Sequence, residues 1–254
     1  MKPKKESEVT QSFSVTKYSK GSASKEQVQV VVEKPFQILI NDSSVANIML
    51  TPSFLGEFLT GFLIGQGIAG NLQQIKRTLI EPEKGLLWAE VEEPAKIDIT
   101  KTLITSGCVG GVSLQNFSGI EPLKKAEPPD PDLVGSLMKN MLTGGEIYAK
   151  SGGVHSACLA SVEDGILFRV EDIGRHNCLD KVIGHLILNE INPEGKLILT
   201  TGRLSLEAVP KAVRAKVGIL GSRSTPTNLA IDLAKKLNLV LLGYIRAGKM
   251  TIYT

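Results

Sequence analysis

From residue 131 onward, helix-like and strand-like stretches alternate, and this alternation constrains the fold more than any other feature of the 254-residue chain. The patterning predicts a helix over 133–147, strands near 157–161 and 165–170, and a helix over 175–189. It continues with a strand at 196–200, a helix near 205–215, a strand at 217–220, a helix at 227–237 and a strand at 239–244. Such an order argues for a layered α/β domain built on a largely parallel sheet. Pro210 is the weak point of the series, because an interior proline removes a backbone hydrogen bond and kinks or ends a helix.

The amino-terminal half reads differently. Apolar or β-branched runs at 28–32, 36–40, 45–50, 74–80 and 86–91 predict short strands. After the third of these, Phe54, Leu55, Phe58, Leu59, Phe62 and Leu63 recur with helical spacing and mark a core-facing side, with Thr51 as N-cap and Pro52 as the first helical residue. Four segments are therefore expected: a disordered tail over 1–24, a smaller N-terminal α+β domain over 25–104, a mobile loop over 105–131 carrying Cys108, and the α/β domain over 132–254.

Composition narrows the function. A net charge of +3 with basic residues spread along the chain and 5% aromatics argues against a nucleic-acid partner and for a small anion. The three cysteines, at 108, 158 and 178, cannot all pair within one chain and match no secreted disulfide framework, so a reducing cytoplasm is expected. Residues 1–20 contain no apolar signal-like core. The apolar stretch 54–69 is interrupted by Glu57 and Gln66 and falls short of the roughly 20 residues that span a bilayer, so no membrane segment is expected.

Chemistry concentrates where a strand hands over to a helix. Glu171, Asp172, Arg175, His176, Asn177, Cys178, Asp180 and Lys181 crowd the mouth of the predicted 175–189 helix, where backbone donors, Arg175 and His176 are all offered to an anion. In an open α/β sheet ligands bind beyond the carboxyl ends of the strands. The loops expected there contain Arg203, Arg223 and Arg246, each with glycine or hydroxyl residues nearby and, in the last, Lys249. Guanidinium forks and glycine-exposed amides suit phosphate, although any one polar loop alone is equally explained by turn chemistry. The acids are better read as caps and ion-pair partners. His176 with Asp180, and Asn177 with Lys181, four apart, are explained by ordinary surface pairing. His155 is either part of the site or a satisfied core histidine.

Cys108 lies on a glycine-rich loop, which gives a thiol the access needed to attack another sulfur, or else it is a spare loop cysteine. Cys158 and Cys178 lie beside Leu159 and Leu179 and read as small buried hydrophobes. His155, Cys158, His176 and Cys178 lack any established zinc spacing, so no protein-bound metal is expected.

These residues carry a family resemblance. The run 170–181, with Thr51-Pro52, Gly61-Phe62-Leu63, Gly67-Ile68, Gly152-Gly153-Val154-His155, Gly202-Arg203, the stretch 230–242, Tyr244-Ile245-Arg246-Ala247-Gly248-Lys249 and Tyr253-Thr254, resembles in order the formate dehydrogenase accessory sulfurtransferases, the FdhD family. The resemblance implies a cytoplasmic homodimer that takes sulfur from a cysteine desulfurase as a persulfide on Cys108. It then passes sulfur to the molybdenum or tungsten bis(molybdopterin guanine dinucleotide) cofactor destined for apo formate dehydrogenase. It further implies that Tyr244, Ile245, Arg246, Ala247, Gly248 and Lys249 bind that cofactor, with Arg175, His176, Arg203 and Arg223 as additional contacts, and that the C-terminal domain resembles the cytidine-deaminase fold. Some members carry a second cysteine where this chain has Gly111, so a mechanism needing two thiols is not implied. Two other readings are a zinc hydrolase of deaminase type, against which stands the absence of His-x-Glu and Pro-Cys-x-x-Cys elements, and a chaperone that delivers the cofactor without moving sulfur.

Overall fold

A computed structural model describes residues 8–94, 119–246 and 248–254, so Cys108, most of the expected 105–131 loop, and Ala247 lie outside the described residues. Three sheets and six α-helices are present among the described residues. No helix there is long and apolar enough to cross a membrane.

The expected tail is corrected from Thr10 onward. β1 (Thr10–Ser19) and β2 (Ser22–Val31) form an antiparallel ribbon, paired from Thr10 with Val31 to Ser19 with Ser22. Lys20 and Gly21 close it with positive φ at both positions (48° and 82°), the geometry that matches strand twist in a two-residue hairpin. Polar residues on both strands concealed the alternation of Phe13 and Val15 on one and of Val28 and Val30 on the other, of which only Phe13 and Val28 pair directly.

A four-stranded sheet in the order β4-β3-β6-β5 follows, made by β3 (Lys34–Ile40), β4 (Ser43–Leu50), β5 (Ile75–Glu81) and β6 (Leu86–Val91). β3 runs parallel to β6 and antiparallel to β4, while β5 and β6 are antiparallel. Phe36, Ile38, Leu50 and Leu87 form a core with Phe58, Leu59, Phe62 and Leu63 of α1 (Leu55–Gly65). That helix begins three residues later than its sequence signals, at a left-handed Phe54. Thr51 cannot cap it because tertiary partners occupy it: its amide donates to Asp172 Oδ2 (3.1 Å) and its hydroxyl accepts from the Ile173 amide (3.3 Å).

The expected 133–147 helix is two helices, α2 (Pro131–Thr143) and α3 (Glu146–Ser151), broken at Gly144-Gly145. Arg169 takes up the end of α2 by donating to the carbonyls of Asn140 and Gly144, and Glu171 receives the Ile147 and Tyr148 amides at the start of α3. The remaining elements are β7 (His155–Ser161), β8 (Gly165–Asp172), α4 (Arg175–Leu188), β9 (Lys196–Thr200), α5 (Ala208–Arg214), β10 (Ile219–Ser222), α6 (Asn228–Lys236), β11 (Val240–Arg246) and β12 (Lys249–Ile252). Pro210 sits in the first turn of α5, where a missing amide costs nothing.

The second sheet is mixed rather than largely parallel. Its order is β12-β11-β10-β9-β7-β8, and only β9, β10 and β11 run parallel; β7 and β12 are antiparallel to their neighbours. Hairpins connect β7 to β8 and β11 to β12, and a two-stranded link needs no helix to reverse direction. One apolar layer combines β7 and β9 residues with α4, α5 and α6; the opposite layer combines Leu199, Leu242 and Ile245 with Leu137, Met138 and Met141 of α2.

α1 and α4 join the two halves at backbone contact distance. A methyl on Gly61 would coincide with the Asp180 carbonyl, and one on Gly184 with the Glu57 carbonyl. Glycines at both faces let the helix backbones touch, which is why α1 is buried nearly all round.

Candidate functional site

The register of the mixed sheet places the sequence-selected loops at one end. Thr200 pairs with both Ala157 and Ser222, Gly221 with Leu242, and His155 with Asp172. The ends of β8, β9, β10 and β11 and the start of β7 therefore share an edge, from which α4 also begins.

Short hydroxyl contacts shape these loops. Ser222 Oγ donates to the Gly202 carbonyl (2.6 Å) and accepts from the Ser224 amide (2.9 Å), and Thr200 Oγ1 accepts from the Gly202 amide (3.2 Å). Gly202 is required here because a β-carbon would run into the Arg175 side chain. Arg203 and Arg223 are exposed beyond this frame, while Arg175 is half-buried. Arg246 Nη1 donates to the Arg223 carbonyl (2.6 Å) and to Ile245 (3.2 Å), binding the β10 loop to the end of β11. Four guanidinium groups thus decorate one sheet end.

The carboxyl-terminal segment divides. Tyr244, at φ 50° with its amide donating to the Ser224 carbonyl (2.7 Å), is half-exposed; Arg246, Gly248 and Lys249 are exposed around the β11–β12 turn. Ile245 faces the other way and its side chain is fully buried against the α2 layer, which leaves only its backbone for contact with a ligand. Its neighbours alternate outward because strand side chains do.

The polar face of α4 is not a surface. His176, Asn177, Asp180 and Lys181 are all buried, so the expected pairing of solvent-exposed neighbours gives way to two interior networks. In the first, Lys181 Nζ donates to Asp172 Oδ2 (2.6 Å) and to the Thr51 carbonyl (3.0 Å). Asp172 Oδ1 receives the Gly174 amide (2.8 Å) and Asn177 Nδ2 (2.7 Å), and Asn177 also reaches the Met49 carbonyl (3.0 Å). This network holds the β4–α1 loop against the first turn of α4. In the second, Lys211 of α5 pairs with Asp180, whose carboxyl burial pushes up against the opposing pull of Lys211.

His176 Nε2 lies 3.3 Å from Ser205 Oγ and 3.4 Å from Glu207 Oε2. Burial, reinforced by the Lys211 and Arg175 charges, lowers its pKa to about 3, so the imidazole is neutral and lends no positive charge to an anion. His155 is also lowered by burial and the nearby Arg175, and its Nδ1 meets Thr201 Oγ1 at 3.2 Å. The residues that sequence reasoning missed are Ser205, Glu207 and Lys211, which carry no motif and become visible only when α5 is packed beside α4.

Cys158 and Cys178 are both fully buried. Burial raises the Cys158 thiol to about 12 and Cys178 well above the usual range, while Cys178 Sγ donates to the His155 carbonyl (3.4 Å). Neither is a nucleophile in this setting. Among the described residues no three His, Cys, Asp or Glu side chains are grouped to hold a metal ion.

Comparison with known proteins places this architecture. The family model described as the FdhD/NarQ family matches residues 31–254. The chain is 35% identical over 252 residues to the sulfur carrier protein FdhD of Bacillus subtilis (strain 168), covering 97% of this chain and 96% of that protein. It is 34% identical to the protein of that name from Geobacillus kaustophilus (strain HTA426), with 94% and 93% covered, and 32% identical to that of Staphylococcus aureus (strain MRSA252), with 94% and 92% covered. A crystal structure described as a formate dehydrogenase accessory protein from Desulfotalea psychrophila superposes with a TM-score of 0.78 at 24% identity, 97% of each chain being covered, and shares the fold.

Proposed function

Because the chain belongs to the FdhD/NarQ family, we propose that it is a cytoplasmic sulfurtransferase that matures the molybdenum or tungsten cofactor of formate dehydrogenase. Its relatives bear the name sulfur carrier protein, and the chain aligns with them over nearly its whole length. The observation that carries the nucleotide part is the gathering of Arg175, Arg203, Arg223 and Arg246 at one end of the mixed sheet. Guanidinium forks and glycine-exposed amides at strand ends suit the pyrophosphate of a bis(molybdopterin guanine dinucleotide) substrate. Tyr244, Gly248 and Lys249 line the same end and complete the contact. The mixed sheet with helices on both faces supports likening this unit to a cytidine-deaminase fold.

In the sulfur step the Cys108 thiolate attacks the outer sulfur of a cysteine desulfurase persulfide. A new S–S bond forms on Cys108, the donor's S–S bond breaks, and the donor leaves as its thiolate. In the transfer that follows, the S–S bond on Cys108 breaks, Cys108 leaves as its thiolate, and the outer sulfur goes to the cofactor substrate, whose metal in its reduced state would supply the two electrons that convert sulfane sulfur to sulfide. The protein, acting as a homodimer, surrenders the cofactor to apo formate dehydrogenase. Cys158 and Cys178 take no part, since both are buried with raised pKa values.

Mass spectrometry after incubation with a cysteine desulfurase and cysteine tests this directly. One added sulfur is expected on the peptide containing Cys108 and none in Cys108→Ser. A Cys108→Ser variant that still activates formate dehydrogenase would establish delivery without sulfur transfer.

A further inference from the structure

At the end of the mixed sheet opposite the arginine loops, the segment 119–126 and the starts of β9 and β10 enclose a cavity of about 800 Å³. Leu123 ties that segment to the body: its amide donates to the Leu237 carbonyl (3.0 Å) and its carbonyl accepts from Asn238 Nδ2 (3.0 Å). Ile120 and Leu123 pack against the core of the sheet and give the cavity an apolar wall.

Its charge is one-sided. Lys124, Lys125, Lys196, Arg214 and Lys216 line it, against the two carboxylates of Glu121 and Glu194. Arg214 is engaged, since its Nη1 donates to the Gly65 carbonyl (2.7 Å). None of the four lysines meets a carboxylate among the described residues, whereas Lys17, Lys34, Lys76 and Lys84 elsewhere on the surface each pair with a glutamate. Like charges gathered without a counter-charge repel one another, and an anionic partner relieves that repulsion. The apolar wall selects among anions. Carboxylates interleaved with apolar side chains satisfy both surfaces, while an inorganic anion satisfies only one.

Position in the chain indicates whose carboxylates these are. Gly119 lines the cavity and Cys108 stands 11 residues before it, so full extension of the backbone bounds the thiol to about 40 Å from the rim. β9 runs from the cavity to the arginine loops in five residues, roughly 17 Å. Both ends of the sheet fall inside that radius. A protein seated at the cavity therefore leaves the arginine end open.

We infer that this basic cavity docks an acidic segment, with apolar side chains between its carboxylates, of the protein that donates the persulfide to Cys108. The inference rests on the sulfur reading proposed above and adds where the donor binds.

The test compares two donors on the full chain, with early loading of Cys108 followed by mass spectrometry. One is a cysteine desulfurase with cysteine; the other is glutathione persulfide, which needs no docking surface. With the latter the Cys108 thiolate takes the outer sulfur and glutathione leaves as its thiolate. Lys124→Glu/Lys125→Glu and, separately, Lys216→Glu are expected to slow desulfurase loading about tenfold or more at low salt and less at high salt, where the charges are screened. Loading by glutathione persulfide should be unchanged. Desulfurase loading as fast as in the original chain overturns the inference, also where activation of formate dehydrogenase falls, since the cavity then serves the client instead. Equal slowing with both donors overturns it as well. So does desulfurase loading of the unaltered protein that is indifferent to salt, a result that needs no variant. An unaltered protein that takes sulfur from neither donor removes the sulfur reading and this inference with it, whereas loading by both donors regardless of the lysines leaves that reading intact and removes only the docking site.

Discussion

Replacing Lys181 with methionine removes one charge from a pair with no solvent access on either side chain. Asp172 then keeps three donors, the amides of Thr51 and Gly174 and the Asn177 amide group, but loses the cation that neutralises it. The Thr51 carbonyl loses its Lys181 donor at the same time. Stranding a buried charge costs about 3–5 kcal/mol, and the three surviving hydrogen bonds place the expected loss near the lower end, about 3 kcal/mol. At about 2–4 °C per kcal/mol for a chain of this size, the midpoint of thermal unfolding should fall by roughly 6–12 °C. The assay is urea unfolding followed by circular dichroism at neutral pH, with Asp172→Asn/Lys181→Met measured beside the single variant. Removing the stranded charge should return at least about half of the loss. A Lys181→Met protein within about 1 kcal/mol of the original, or a double variant weaker than the single one, would refute the view that this ion pair joins the β4–α1 loop to α4.

Gly61→Ala tests the helix contact. In an exposed helix the change stabilises by up to about 1 kcal/mol, but here the methyl collides with the Asp180 carbonyl, so a net loss of at least about 2 kcal/mol is expected in the same unfolding assay. His176 supplies a pH dependence. Its folded pKa of about 3 lies below the unfolded value near 6.5, so its contribution is complete above pH 6.5 and is lost as the pH falls toward 3. That share amounts to about 2 kcal/mol at pH 5. Urea unfolding at pH 7.5 and pH 5 should show a smaller difference in His176→Asn than in the original chain, and equal differences would count against the buried neutral imidazole.

Periodic apolar residues made the helices and most strands legible, because burial on one face writes itself into spacing. The strands at 36–40, 45–50, 86–91 and 196–200 match the observed β3, β4, β6 and β9 within a few residues. What spacing could not show was a choice decided by distant partners. Thr51 looks like an N-cap, yet Asp172, more than a hundred residues away, takes its amide. The ribbon of β1 and β2 has too few apolar residues to announce itself, and the parallel direction expected of the sheet fails at β7 and β12, where hairpins rather than helices connect the strands. That the arginine loops share one end of the sheet was legible, because strand and helix alternate and each of these loops follows a strand. Glu207 was not, since an isolated acid before a short helix has the same appearance whether it caps, pairs or binds.

The two networks on α4 give that helix a double role that explains its unusual density of polar residues. Its first turn contributes Arg175 and His176 to the end of the mixed sheet, while Asn177 and Lys181, on the same 14-residue helix, hold the segment Met49 to Thr51. An apolar α4 could pack against α1 equally well but would slide or rotate at little cost, because hydrophobic contacts are not directional. Directional bonds from Asp172 and Asn177 fix both the rotation of α4 and its distance from the β4–α1 loop, and the touching glycines Gly61 and Gly184 fix its separation from α1. The position of Arg175 at the site is therefore set by the amino-terminal half of the chain as much as by the sheet from which α4 departs.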